Sequence, residues 1–414
     1  MASTIRQVAA RELKRAFPWT STPLIVGAPM RIISDPALAL AVSKAGGLGF
    51  IGPGAHPSDL ASALETTEKL IQDNPDSSSS RFLNLSKESE EESSIQRALP
   101  IGIGIQTWTG DLGVTTKILK ECKRPPCAVW LFAPRHGQAE LDEWASGIRN
   151  ATATENHEEQ STQIWIQVAS VKDALSAAHS AQPPNVLVIQ GSDAGGHSLT
   201  RSASLTTLLP EVADALSPST PSSTCENEHN NPTSPFDTPT NPIPLIAAGG
   251  LTDARGVLSA LALGACGAAM GTRFLATPEA SISPGYVRHV LAATDGGQST
   301  IRTQLYNHLR GNFDWPSEYD ARGLVNASWR DFESGVDFGE LQRRHEEVKE
   351  KGREEEEAWG EKRGRVATYA GTGVGLVREV KGAGEIVEEV REGVRRVLES
   401  VRARLGDEVV EEEG

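Results

Sequence analysis

The chain has 414 residues and a formal net charge of −15. That length fits one large domain with an appendage, because α/β barrels often exceed about 200 residues as a single domain. The negative charge, with no basic patch in the body of the sequence, argues against a nucleic-acid partner. No apolar run is long enough to span a bilayer, so we expect no membrane partner.

The four cysteines form no Cys-x-x-Cys pair and are too few for a disulfide framework, which fits a reducing compartment and argues against zinc. They are Cys122, Cys127, Cys225 and Cys266. We therefore expect a cytoplasmic protein without a metal site. Residues 1–20 form a lead-in that carries basic residues among apolar ones, which fits a short amphipathic helix, with an organellar presequence as the alternative.

Short apolar runs alternate with helical patterns from residue 23 onward, as in the buried strands of a parallel sheet. We predict strands at residues 23–30, 46–52, 100–105, 127–133, 163–168, 185–190, 243–250 and 266–271. About eight such repeats predict a (β/α)8 TIM barrel over residues 21–300. The alternative, a doubly wound open sheet, is disfavoured because glycine loops follow several strands rather than mainly the first.

Two polar, low-complexity segments, near residues 73–95 and 213–241, are predicted to be surface insertions. Residues 301–414 are predicted to form a mostly helical and irregular extension that packs on the barrel. Its parts are an irregular aromatic stretch at 306–331, a solvated helix at 337–366 and an apolar-striped helix at 384–405. We expect Trp315 and Trp329 to anchor this extension rather than to wall a ligand site.

The sixth predicted strand runs directly into a loop, residues 191–198, that holds three glycines, one carboxylate and one histidine. Glycines allow a backbone to approach a ligand closely, while Asp193 and His197 supply the titratable side chains. This composition is typical of an active-site loop. A glycine-rich turn whose histidine caps a neighbouring element is the alternative.

In a barrel, ligands bind at the carboxyl ends of the strands, so residues at those ends become candidates. The candidates are Ala28, Pro29, Met30, Gln106, His136, the loop from Gln190 to His197, Ala248, Gly249, Gly250, Gly271, Thr272 and Arg273. Glycines after the last two strands lie where barrels often hold a phosphate, which predicts a phosphate-bearing ligand. For any one Gly-Gly pair, a tight turn is the competing explanation.

Five motifs, in this order, resemble those of nitronate monooxygenases, formerly called 2-nitropropane dioxygenases. They are Gly-Ala-Pro-Met at residues 27–30, Ala-Gly-Gly-Leu-Gly-Phe-Ile-Gly at 45–52, Gln-Gly-Ser-Asp-Ala-Gly-Gly-His at 190–197, Ala-Ala-Gly-Gly-Leu at 247–251 and Met-Gly-Thr-Arg-Phe at 270–274. The resemblance covers residues 23–278. Single motifs also occur in inosine-monophosphate dehydrogenases and flavin-dependent enoyl reductases, whereas the ordered set is more specific.

The resemblance implies an FMN-bound barrel in which O2 oxidises alkyl nitronates, and potentially nitroalkanes, to a carbonyl compound and nitrite. It implies FMN contacts at Ala28, Pro29, Met30, Gln106, Gln190, Gly195, Gly196, Ala248, Gly249, Gly250, Gly271 and Thr272, the last four residues holding the phosphate with Ala248 beside them. His197 matches the active-site histidine of the family. A neutral histidine there can remove an α-proton or bind the nitronate, since its ordinary pKa lies near operating pH.

Two departures from the family pattern concern the substrate. Arg31 replaces a small residue, and its cation either narrows the pocket, pairs with an anionic substrate or points to solvent. Asp193 replaces a glutamate. Two other functions stay open: a flavin-dependent enoyl-thioester reductase that uses NAD(P)H, and a barrel that binds a phosphorylated ligand without redox chemistry. The chain is expected to be a monomer or a homodimer.

Overall fold

Eight parallel strands close into a barrel in which each strand pairs with the next barrel strand along the chain. The computed structural model describes residues 2–54, 57–73, 98–153, 162–217, 242–350 and 358–406. The barrel strands are β1 Leu24–Gly27, β2 Leu48–Ile51, β3 Leu99–Gln106, β4 Pro126–Phe132, β5 Gln163–Val168, β6 Val186–Gln190, β8 Leu245–Ala248 and β9 Gly267–Met270. The predicted (β/α)8 barrel is therefore confirmed, and the open sheet is excluded.

Helices connect successive strands on the outside of the barrel. They are Pro36–Lys44, Pro57–Asp73, Leu112–Glu121, Gln138–Thr152, Val171–Ala178, Leu205–Ala215 and Ala254–Ala262. Asp35 and Asp253 each cap a helix by accepting hydrogen bonds from its first N–H groups, which stabilises the helix start. These caps fix where the chain turns from a strand end into a helix.

Large aromatic side chains fill the inside of the barrel. The Phe50 ring centroid lies 5.2 Å from that of Trp130 and 5.0 Å from that of Trp165. A Cβ on Gly102 would lie 2.2 Å from the Phe50 ring, so this strand position must be glycine to admit the ring. The interior is thus a packed core, and ligands can reach only its ends.

The helix Ala2–Ala16 closes the amino-terminal end of the barrel. Arg6 lies against Gly264, just before β9, and fully buried Phe17 stacks edge-on against Trp165 of the interior. Leu13 belongs to the same apolar cluster. This segment is part of the barrel's packing, as an amphipathic lead-in requires.

The C-terminal third differs from its predicted irregular character by containing strands. A three-stranded antiparallel sheet joins β10 Thr300–Thr303, β11 Tyr319–Leu324 and β7 Gly196–Leu199, in the order β10-β11-β7. The predicted irregular stretch at 306–331 therefore contains β11. Its pairing partner lies more than a hundred residues earlier, so no local pattern reveals it.

The helices of this third are Pro284–Ala292, Gly296–Ser299, Leu305–Leu309, Ala327–Glu333, Phe338–Glu350 and Ala383–Leu405. The predicted helix at 337–366 is wrong for residues 359–366, which are not helical, and its residues 351–357 lie outside the described residues. The last helix packs on the helices Pro36–Lys44 and Ala254–Ala262. Within the described ranges, no helix is both long and apolar enough to cross a membrane.

The two predicted insertions fall largely outside the described residues, at 74–97 and 218–241. The second begins later than predicted, because residues 213–215 belong to the helix Leu205–Ala215. Ala213 is buried there. Its apolar side chain lies on the face of the helix that packs on the core. The polar composition of the residues that follow made the predicted insertion begin too early.

Candidate active site

Every candidate from the sequence lies at the carboxyl-terminal rim of the barrel. Gln106, Gln190 and Ala248 are the last residues of β3, β6 and β8. The others follow strand ends directly: Ala28, Pro29 and Met30 after β1, Gly195, Gly196 and His197 after β6, Gly249 and Gly250 after β8, and Gly271 and Thr272 after β9. Parallel closure brings all of them to one end.

Glycine is required at the end of β8 for two reasons. Gly249 and Gly250 have φ angles of 102° and 75°, which L side chains rarely adopt. A Cβ on Gly249 would also lie 2.9 Å from the carbonyl oxygen of Gly191, and one on Gly250 would lie 2.9 Å from Cβ of Asp193. The β8 turn therefore packs directly against the loop that follows β6.

Gly271 lies beside Met30 and Ala28. A Cβ there would lie 3.7 Å from Sδ of Met30 and 3.8 Å from Cβ of Ala28. Both distances are ordinary contacts, so the protein itself does not demand a glycine at this point. Gly271 therefore lies next to two other residues predicted to contact the cofactor.

Two buried amide oxygens at the rim lack a hydrogen-bond donor among the described residues. They are Oε1 of Gln106 and Oε1 of Gln190. Nε2 of Gln190 donates to the carbonyl oxygen of His197 at 3.2 Å, which fixes this amide with its oxygen free. A buried acceptor without a donor costs roughly 1–3 kcal/mol, so these oxygens fit a ligand that brings donors.

The sheet formed by β7, β11 and β10 carries His197 over the rim. His197 pairs with Ala321 across β7 and β11. Its ring stacks on Trp315 with centroids 3.6 Å apart and planes 6° apart, and its Nε2 lies 3.0 Å from Oδ1 of Asn307. The expectation that Trp315 only anchors the extension is therefore wrong, because it forms one wall of the histidine site.

Burial lowers the pKa of His197 to about 3. The hydrogen bond to Asn307 acts in the opposite direction, and the charges of Arg310, Arg302 and Arg31 lower the pKa further. The imidazole is therefore neutral across the physiological range. A neutral imidazole has one lone pair with which it can accept a proton.

Cations surround this neutral ring. The Arg310 guanidinium donates to Oη of Tyr369 at 2.6 Å and to Oδ1 of Asn307 at 3.3 Å, and lies over the Tyr369 ring. Arg31 is exposed at the mouth, and partial burial together with the charge of Arg310 lowers its pKa. Two like charges held together in this way favour an anion between them.

The segment at residues 370–375 folds back onto the rim. The N–H of Gly371 donates to Oγ1 of Thr272 at 2.9 Å, and the N–H of Thr372 donates to the carbonyl oxygen of Asp193 at 3.0 Å. A Cβ on Gly195 would lie 2.4 Å from N of Gly371. The close packing of this segment requires a glycine at position 195. Asp193 holds the segment through its hydrogen bonds with Thr372.

Two arginines hold the loop after β6 from the other side. Nη2 of Arg302 donates to the carbonyl oxygens of Ser192 and Ala194, both at 3.0 Å, and Nη2 of Arg322 donates to that of Ser192 at 3.2 Å. Burial lowers the pKa of Arg302 to about 10. The loop is therefore fixed in place without a ligand.

The closed parallel barrel brings the free amide oxygens of Gln106 and Gln190 and the neutral imidazole of His197 to one rim. That rim is where barrel enzymes place their active sites. A family model described as nitronate monooxygenase matches residues 15–393. The chain belongs to this family of flavin-dependent oxidoreductases, and the resemblance seen in the five motifs is confirmed.

Individual relatives agree. The chain is 45% identical to the nitronate monooxygenase npaC of Metarhizium robertsii, over 98% of this chain and 100% of the relative. It is 33% identical to a nitronate monooxygenase of Neurospora crassa, over 96% of each. A solved nitroalkane oxidase from Streptomyces ansochromogenes has a TM-score of 0.61 at 21% identity, covering 94% of this chain and 99% of that one, which shows a shared fold.

Several residues of the site were missed or undervalued in the sequence. Asn307 and Arg310 lie in the stretch predicted to be irregular, and nothing local distinguishes them from surface residues. Gln304, Trp108 and Tyr369 carried no signal, although the Trp108 ring centroid lies 4.8 Å from that of Trp315. A polar and aromatic stretch that follows a barrel is the hint available in the sequence, since the contacts that bring Asn307 and Trp315 to His197 cross more than a hundred residues.

Proposed function

We propose that this nitronate monooxygenase uses FMN and O2 to convert alkyl nitronates into a carbonyl compound and nitrite, and that it also accepts neutral nitroalkanes. The observation that carries the proposal is His197, a neutral imidazole stacked on Trp315 above the glycine-lined rim. A neutral imidazole at this point offers a lone pair that can take the α-proton of a nitroalkane.

The residues at the rim fit FMN. The ring system and ribityl chain of FMN offer N–H and O–H donors to the free oxygens of Gln106 and Gln190. The backbone at Gly249, Gly250, Gly271 and Thr272 would hold the phosphate, and Ala28, Pro29, Met30, Gly195, Gly196 and Ala248 would border the rest of the cofactor. When bound, FMN supplies the electron transfer between nitronate and O2.

The protein's own groups divide the remaining work. For a nitroalkane, His197 accepts the α-proton while the electron pair of the C–H bond moves into the nitro group. For a nitronate no proton needs to be removed, and the cations of Arg31 and Arg310 attract its charge to the mouth. Trp315 and Trp108 exclude water from one side of the ring.

The enoyl-thioester reductase is not favoured, because the family match and both relatives are nitronate monooxygenases. The family match likewise disfavours a barrel that binds a phosphorylated ligand without redox chemistry. We propose a cytoplasmic location from the cysteine usage, and either a monomer or a homodimer. Light scattering on the purified protein distinguishes the two assemblies.

The test is oxygen uptake and nitrite release by the purified protein with an alkyl nitronate, and separately with the parent nitroalkane, without nicotinamide. We expect uptake with both substrates. The His197→Ala variant should lose roughly 10²- to 10⁴-fold in kcat/KM for the nitroalkane, the usual contribution of a general base. His179→Ala, at the end of the outer helix Val171–Ala178, is the control and should behave as the wild type.

Three outcomes contradict the proposal. Protein without a flavin absorbance spectrum would favour the non-redox barrel. Flavin bleached by NAD(P)H, with no uptake on nitronate, would favour the reductase. A released flavin whose mass differs from that of FMN would overturn the cofactor assignment alone.

A further inference from the structure

We propose that Gln304 and Asn307 are positioning residues that hold His197 in the tautomer protonated on Nε2, so that the lone pair of Nδ1 is the base for nitroalkanes. The inference rests on the proposed function and adds to it the atom that takes the proton. It also assigns a role to two amides that no motif of the family resemblance includes.

The relay begins at a backbone carbonyl, which can only accept. Nε2 of Gln304 donates to the carbonyl oxygen of Tyr319, so the orientation of this amide is fixed. Its Oε1 then accepts from Nδ2 of Asn307 at 3.0 Å. The amide of Asn307 is thereby oriented as well, with Oδ1 turned toward His197.

A second contact fixes Asn307 independently. Nη2 of Arg310, which can only donate, lies 3.3 Å from Oδ1 of Asn307, and the hydroxyl of Tyr369 donates to the same oxygen at 3.3 Å. The atom that faces Nε2 of His197 at 3.0 Å is therefore an acceptor. Nε2 must carry the hydrogen, and in a neutral ring Nδ1 then carries the lone pair.

Packing prevents the ring from escaping this arrangement. Asn307 is fully buried on the helix Leu305–Leu309, and Trp315 covers one face of the imidazole. Tyr319, where the relay begins, pairs with Leu199 in the same β11–β7 register that carries His197. The relay and the histidine are therefore attached to one small sheet and keep a constant relative position.

The tautomer decides what His197 can do. Its Nδ1 can accept the α-proton of a nitroalkane: the C–H bond breaks, an N–H bond forms on Nδ1, and the electron pair passes to the nitro group to give the nitronate. Oδ1 of Asn307 already accepts a hydrogen bond from Nε2–H, and this bond stabilises the imidazolium once Nδ1 is protonated. Nδ1 carries no hydrogen in this tautomer, so it cannot donate a hydrogen bond to a nitronate that is already ionised. The relay therefore serves the turnover of nitroalkanes in particular.

Nitrogen NMR on the flavin-loaded protein with ¹⁵N-labelled histidine rings tests the tautomer directly. We expect His197 to show a protonated Nε2 and an unprotonated Nδ1, assigned by loss of its signals in His197→Gln. His345 is an internal reference of the opposite kind, because its Nδ1 lies 3.2 Å from the carbonyl oxygen of Arg365 and must donate. A protonated Nδ1 on His197 in the neutral wild type would overturn the inference.

Kinetics with two substrates tests the consequence. In Asn307→Leu, the ratio of nitroalkane to nitronate kcat/KM should fall at least about tenfold, because the proton-accepting tautomer is no longer enforced while nitronate oxidation needs no base. Asn326→Leu removes an equally buried amide that caps the helix Ala327–Glu333, and should leave this ratio unchanged. An equal loss with both substrates in Asn307→Leu would reduce Asn307 to a structural role.

A conservative variant keeps the test valid if Asn307→Leu does not fold. The carboxylate of Asn307→Asp still accepts from Nε2, so this variant should retain the tautomer. Its negative charge should raise the pKa of His197, because it opposes the nearby cations Arg31, Arg302 and Arg310, while the phenol of Tyr369 adds no charge. The acidic limb of the nitroalkane kcat/KM profile should therefore move to higher pH. An unmoved limb would contradict the relay, whereas full nitroalkane activity in His197→Ala would instead refute the proposed function.

Discussion

Ile32 lies at the mouth of the site with a φ of 61°, in the left-handed region that suits glycine. It is a β-branched residue and its side chain is 63% exposed, so little packing compensates for the strain. The N–H of Ile32 donates to the carbonyl oxygen of Gly52 at 2.7 Å, which holds the turn in this shape. This is the segment in which Arg31 and its neighbours depart from the small residues usual in the family.

We predict that Ile32→Gly raises the free energy of unfolding by about 1 kcal/mol, because left-handed backbone costs an L-residue roughly 1–2 kcal/mol and part of that gain is offset by glycine's entropy. Chemical denaturation followed by fluorescence measures it. Ile33→Gly is the control: Ile33 packs against a buried cluster without a positive φ, and its loss should destabilise. Destabilisation of both variants would show that the turn is unstrained.

Among the elements, the amino-terminal helix and the turn after it matter most for closing the barrel. Phe17 is fully buried and contacts the interior aromatic cluster. We predict that Phe17→Ala lowers the free energy of unfolding by about 3–5 kcal/mol, the usual loss for a buried phenylalanine. Val8→Ala, on the exposed side of the helix, should change the free energy of unfolding by less than about 0.5 kcal/mol. Similar effects of Phe17→Ala and Val8→Ala would mean that this segment does not close the barrel.

The last helix docks on the barrel through a close contact at Gly393. A Cβ there would lie 2.6 Å from Cβ of Ala254, whereas one on Gly384 would lie at an ordinary 3.6 Å from Cβ of Ala45. We predict that Gly393→Ala destabilises by about 1–3 kcal/mol through overpacking, despite the better helix propensity of alanine. Gly384→Ala should stabilise by up to about 1 kcal/mol. Thermal unfolding measures both variants, and stabilisation by both would mean that helix propensity, rather than the close contact with Ala254, decides the effect at Gly393.

For the whole molecule, buried histidines make stability depend on pH. Burial lowers the pKa of His197 to about 3 and that of His289 to about 4. In the unfolded chain both rings titrate near their ordinary pKa of about 6.5. Between these values the unfolded state binds more protons than the folded state, so stability must fall as the solution is acidified.

We predict that the melting temperature is nearly constant above about pH 7 and falls from there toward about pH 4, with each histidine contributing at most about 1.4 kcal/mol per pH unit. Calorimetry across this range measures the slope. His289→Gln removes one of the histidines whose pKa burial lowers, a group that also includes His345. The slope should become shallower, since glutamine cannot take up a proton. A slope that steepens or reverses in this variant would exclude burial of neutral histidines as its cause.

The sequence by itself determined the barrel and its rim. Alternation of short apolar runs with helices predicts the strands to within a few residues, because burial imposes the same local pattern on every repeat. The end of each strand then locates residues such as Gln106, Gly249 and His197, since a parallel barrel brings all strand ends together. Local chemistry and one topological rule were sufficient for this.

The tertiary structure alone decided what surrounds His197. Trp315, Asn307 and Tyr369 reach the ring only because β11 pairs with β7 and the chain then folds back over the rim. That pairing joins segments more than a hundred residues apart, and its register is fixed by packing rather than by any local periodicity. The identity of the histidine was therefore readable in the sequence, while its pKa, its stacking partner and its tautomer depend on contacts that only the folded chain creates.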